Sequence, residues 1–122
     1  MVVQSGNRDL VRRFHAVDEL AWGEAARIGE LEVESVETRH WGARMITDRH
    51  RGYGGYLLRR AGRAILFAGD TAYTDALTPI GQRVPIDLAR YYRAKDGSYI
   101  EHGWRQSLKS IYAGTPLESR FD

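Results

Sequence analysis

Residues 52–75 read GYGGYLLRRAGRAILFAGDTAYTD. Gly52, Gly54 and Gly55 open the stretch and are expected to turn the backbone. A strand is predicted over residues 54–60, with Tyr56 and Leu58 on one face. Ala61, Gly62 and Arg63 form a turn. Residues 64–68, AILFA, are an unbroken apolar run whose length suits a strand buried on both faces. The run stops at Gly69-Asp70-Thr71, a loop leaving that strand. Thr74 or Asp75 then caps a short helix reaching towards Gly81, with Pro79 limiting its length. Residues 85–89 complete the unit as another short strand.

Upstream, residues 25–28 and 31–38 flank the turn Gly29-Glu30 and read as a hairpin. Leu31 and Val33 alternate with Glu32 and Glu34. The phase slips at Ser35 and Val36, where a bulge or a strand end is expected. Asn7 is placed to cap a short helix through Phe14, with Leu10, Val11 and Phe14 as its apolar face. Residues 1–3 suit the end of a strand. Beyond Ala89 the texture changes to RYYRAKDGSYIEHGWRQ, which is polar, aromatic and aperiodic. A short helix is predicted over residues 107–112 and a frayed tail after it. The expected class is α+β, a mainly antiparallel and mixed sheet with few short helices. Two parts are expected: residues 1–89, and a divergent segment of residues 90–122.

Of the 122 residues, 43% are hydrophobic and 28% charged, a globular balance that excludes disorder along the whole chain. No apolar run approaches the roughly 18 residues of a membrane span. The absence of cysteine excludes a disulfide scaffold, a thiolate zinc site, a thiol nucleophile and an iron–sulfur cluster. The N-terminus carries no basic-then-apolar leader, so a cytoplasmic location is expected. Formal charge is +2, and only Lys95 and Lys109 are lysines. Acids and bases are interspersed, unlike the clustered basic footprint of a nucleic-acid surface, so no nucleic-acid partner is expected.

Two residues are candidates for chemistry. His40 follows a strand and opens a glycine-containing loop, where functional side chains are commonly displayed; imidazole is a frequent zinc ligand. A surface histidine beside Trp41 is the plainer explanation. Asp70 stands at the end of the AILFA strand, where a carboxylate can bind a metal or act as a base. It can equally hydrogen-bond its own loop amides. One imidazole and one carboxylate do not complete a catalytic zinc site, which uses three protein ligands and a water. The remaining suppliers are His15, His50 and His102, with Asp48, Asp75 and Glu101, none at a recognised metal-ligand spacing. No G-x-S-x-G elbow and no phosphate-binding Lys-Ser/Thr loop occurs.

Three phrases in order carry a resemblance: VDELAWGEAARIGELEVESVETRHWGAR at residues 17–44, GYGGYLLRRAGRAILFAGDTAYTD at 52–75 and IGQRVPIDLA at 80–89. Together they resemble the metallo-β-lactamase superfamily. They look most like its branch of N-acyl-phosphatidylethanolamine-hydrolysing phospholipase D and lactonase-like hydrolases. The resemblance implies a partial αββα sandwich and a zinc-dependent hydrolase. Its substrate would be a small molecule or lipid-like, with water attacking a phosphodiester, lactone or similar ester or amide. It also implies that His40 is a metal-ligand histidine and Asp70 the carboxylate shared by two zinc ions.

The departures are equally specific. The family's HxHxDH motif is absent, and no HxH occurs anywhere in the sequence. The stretch after Ala89 does not match the family, and the surroundings of His102 differ from those of a later family histidine. The chain therefore reads as a truncated middle portion of the family domain, inactive on its own, with a companion fragment or a homodimer covering its open edges. The alternative is a non-catalytic remnant or binding module of the same fold.

Overall fold

The computed structural model describes residues 1–39, 50–69, 71 and 74–91. Among these residues, seven strands and one α-helix follow in chain order: β1 Val2–Gln4, β2 Asp18–Leu20, β3 Ala25–Ile28, β4 Leu31–Val36, β5 Gly55–Arg60, β6 Arg63–Gly69, α1 Thr78–Arg83 and β7 Leu88–Tyr91. Strands β3 to β7 form one sheet in sequence order, while β1 and β2 pair separately. The pairs from β3 to β6 are antiparallel, and β6–β7 is parallel. The expected α+β class with a mixed, mainly antiparallel sheet is what the chain forms.

The register fixes two faces. Glu34 pairs with Leu57 and Leu57 with Leu66, so these residues share a face with Val36 and Ala64. The 3-10 turn Asp75–Leu77 and α1 lie over it. Val36, Leu57, Ala64 and Leu66 close a core there with Leu77, Ile80 and Ile86. Thr74 caps the turn, its Oγ1 accepting from the Ala76 N–H at 3.2 Å. Pro79 sits in the first turn of α1, where its missing N–H costs nothing. It therefore starts the helix rather than limiting it.

Where the core ends, the same face carries charge. Arg59 bridges Glu32 and Glu34, and Arg83 of α1 holds Glu34 with contacts of 2.5 and 3.1 Å. Glu34 is buried, so its two arginine partners offset the cost of removing the carboxylate from water.

Several sequence expectations change. Between Asn7 and Phe14 only a 3-10 turn, Arg8–Val11, forms. Leu10 is 64% exposed and Phe14 50%, and only Val11 of the expected apolar face is partly buried. Asn7 makes no cap; its Nδ2 donates to the Gly52 carbonyl at 2.8 Å instead. Of the two alternatives at Ser35 and Val36, the strand end holds: pairing runs unbroken, without a bulge, from Glu32↔Arg59 to Val36↔Gly55, where β4 ends. Ser35 is buried by the small sheet: its Oγ donates to Gln4 Oε1 at 2.7 Å, and Gln4 Nε2 donates to the Gly55 carbonyl at 3.1 Å.

Among the described residues, the AILFA strand is fully buried on one face and half-covered on the other, where the Arg90 guanidinium lies 6.0 Å from the Phe67 ring. Ala64, Leu66 and Ala68 are buried, whereas Ile65 is 40% exposed. The last strand begins at Leu88 rather than 85, because Pro85 has no N–H to donate and Asp87 turns its carboxylate onto the Ala64 N–H at 2.8 Å. The expected helix over 107–112 and the tail lie outside the described residues.

Candidate functional site

β4 and β6 both pair antiparallel with β5, so they run in the same direction; β7 runs with β6. The carboxyl ends of all three therefore reach one edge of the sheet. That is the edge where open sheets of mixed or parallel strands commonly place ligands. β4 leads through the buried Thr38 and the exposed Arg39 towards position 40; β6 ends at Gly69, immediately before position 70.

His40 and Asp70 themselves lie outside the described residues, as do Asp48, Glu101 and His102. Their described neighbours are joined: the Arg39 backbone N–H donates to Thr71 Oγ1 at 3.0 Å. This bond links the chain entering the position-40 loop to the chain leaving position 70. Among the described residues, no three His, Cys, Asp or Glu gather in a metal-binding group. His15 and His50 are both exposed. The expected donors thus suit a metal in kind, an imidazole nitrogen and a carboxylate, but not in number.

The glycine cluster enters β5 at this same edge. A Cβ on Gly52 would stand 2.6 Å from the Ser5 carbonyl oxygen, and one on Gly54 2.5 Å from that of Val36. One on Gly55 would stand 2.6 Å from the Phe67 carbonyl oxygen. These glycines admit close backbone packing around the rim. Trp22 closes over them, its Nε1 donating to the Tyr53 carbonyl at 2.5 Å, with the two rings edge-to-face at 5.4 Å. Gly69 has φ +67°, a left-handed conformation that lets the chain leave β6 sharply.

Sequence reasoning did not find Thr71, the Gln4–Ser35 clasp or the close-packing role of Gly52, Gly54 and Gly55. Thr71 stood in the Gly-Asp-Thr tripeptide. No local signal pairs it with Arg39, since the bond spans 32 residues.

The chain belongs to the beta-lactamase superfamily: the family model described as "Beta-lactamase superfamily domain" matches residues 2–91. The uncharacterized protein Rv0906 of Mycobacterium tuberculosis is 32% identical over 71 residues, covering 57% of this chain and 19% of that protein. The chain thus spans about a fifth of the length of the curated relatives it matches.

Two solved structures share the fold. Igni18, a metallo hydrolase from the archaeon Ignicoccus hospitalis, superposes with TM-score 0.71 at 15% identity, over 90% of this chain and 47% of that one. CmlA, a diiron β-hydroxylase from Streptomyces venezuelae, superposes with TM-score 0.59 at 24% identity, over 72% of this chain and 19% of that one.

Proposed function

We propose that this chain carries one side of a dinuclear zinc hydrolase centre, with His40 and Asp70 as metal ligands. The observation that supports it best is the Arg39–Thr71 hydrogen bond at the shared carboxyl edge of β4 and β6. It joins the two chain segments from which those ligands would project. Zinc, when bound by such a centre, lowers the pKa of a water and neutralises charge developing on the attacked phosphoryl or acyl group. In this reading His40 would help hold the metals through a neutral imidazole nitrogen and Asp70 through its carboxylate.

The reading extends to the branch of N-acyl-phosphatidylethanolamine phospholipase D and lactonase-like hydrolases. It implies a small or lipid-like substrate with a phosphodiester, lactone or related bond, and a cytoplasmic location. The sequence has no HxHxDH, so the chain alone is expected to bind metal weakly and to turn over little or not at all. A companion fragment or a second copy would supply the missing ligands. The similarity of the fold to the metal enzymes Igni18 and CmlA supports metal use.

The test is cobalt and zinc titration of the purified chain, followed by metal analysis. His40→Ala or Asp70→Ala is expected to weaken binding at least about tenfold, as befits loss of one ligand from a sparse set. Metal content that neither substitution alters overturns the reading and favours the non-catalytic remnant.

A further inference from the structure

A separate part of the molecule, far in sequence from the glycine-rich rim, leaves apolar side chains in the open. The 3-10 turn Arg8–Val11 and the residues after it expose Leu10 to 64% and Phe14 to 50%. Beside them runs a shallow groove of about 470 Å3, lined by Arg8, Asp9, Val11, Arg12, Phe14 and Val17. Two large apolar side chains left exposed within five residues, one of them lining the groove, mark a candidate contact surface.

The charges around the turn say what the contact is with. Asp9 is held in a two-pronged pair by Arg51, with contacts of 2.7 and 2.9 Å. Glu19 is held by Arg8 at 3.1 Å. Asp18 is the next residue of β2 and points to the face opposite Glu19 by strand alternation, away from the turn that Glu19 touches. Arg12 and Arg13 are exposed and make no direct salt bridge among the described residues, although Arg12 also acts on Asp9 through its charge. The acids near the turn are therefore neutralised or averted, and two guanidinium groups remain beside the two exposed apolar side chains.

We propose that this turn docks on an anionic lipid surface, with Leu10 and Phe14 entering the headgroup boundary and Arg12 and Arg13 meeting lipid phosphates and carboxylates. Shallow apolar insertion beside basic residues is the pattern of reversible membrane attachment. A folded protein partner fits poorly, because a stable interface needs roughly 800 Å2 from each side and this turn offers a few protruding residues.

The experiment is co-sedimentation of the full chain with vesicles of phosphatidylcholine, and with vesicles in which about a third of it is replaced by phosphatidylserine. The expected result is binding to the phosphatidylserine vesicles about tenfold or more above pure phosphatidylcholine, reduced by salt. A Leu10→Ser, Phe14→Ser double variant and an Arg12→Glu, Arg13→Glu double variant should each lose about tenfold, with unchanged circular dichroism. Equal binding to both vesicle types, no binding, or variants that sediment like the parent overturns the proposal. A concentration-dependent dimer that Leu10→Ser, Phe14→Ser dissociates also overturns it, and assigns the surface to a second copy.

Discussion

Thr71 shows how much one hydroxyl can organise. Its Oγ1 accepts the Arg39 N–H across 32 residues of sequence, so two loops leaving different strands share one anchor. Groups that orient metal ligands without touching the metal commonly contribute about 10–100-fold to affinity. Thr71→Val is therefore expected to weaken cobalt binding by about that factor, while Thr71→Ser, which keeps the acceptor, restores it. Isothermal titration of the three proteins decides it; parent-like affinity in Thr71→Val would show that the anchor does not position the donors. His40 and Asp70 enter the proposal through a resemblance of whole phrases of sequence. Thr71 is not legible in the sequence, because its partner is fixed by strand direction and not by spacing.

Strand β6 marks the limit of reading at the scale of the element. AILFA is apolar at every position, and such a run has the same appearance whether one face is covered or two. The structure separates its residues: Leu66 is fully buried against the 3-10 turn and α1, while Ile65 pairs with Leu88 on the face where both are exposed, to 40% and 56%. Leu66→Ala is expected to cost about 2–5 kcal/mol through lost contacts and the cavity left. Ile65→Thr should change stability by less than about 1 kcal/mol. Urea midpoints of the two variants compare them directly, and equal losses would mean that the second face of β6 is also covered. The hairpins were readable for a firmer reason: Gly29-Glu30 and Ala61-Gly62 punctuate the chain, and period-two alternation sets which side chains face inward. Of the bulge or strand end expected at Ser35 and Val36, the strand end is what forms, since β4 closes at Val36, while Ser35, a small polar residue in the apolar pattern, stays paired and is buried through Gln4.

For the molecule as a whole, acid should act through a few carboxylates. The Arg51 hydrogen bond holds Asp9 down to about 2 from its ordinary 3.8. The Ala64 N–H, then Arg63, lowers Asp87, and Arg8 lowers Glu19. Each is depressed in the folded chain. Their stabilising contribution is thus complete above the ordinary values of 3.8 and 4.5 and is lost as pH falls through the folded ones. Denaturant midpoints should stay level above about pH 5 and decline towards pH 2, with Asp9→Asn flattening the lowest part of the curve. A profile that Asp9→Asn leaves unchanged would remove that pair from the account. These pairs are exposed, so added salt should shrink the effect.

The turn between β5 and β6 has a practical consequence. Ala61 and Gly62 both take positive φ, 50° and 76°, as a two-residue hairpin requires. They stand at the end of β5 opposite Gly55. Six residues of extended chain put about 20 Å between that tip and the rim. A fluorophore or affinity handle grafted at Ala61–Gly62 would thus report on the chain, or tether it to a sensor chip, while leaving the metal titrations at the other end undisturbed.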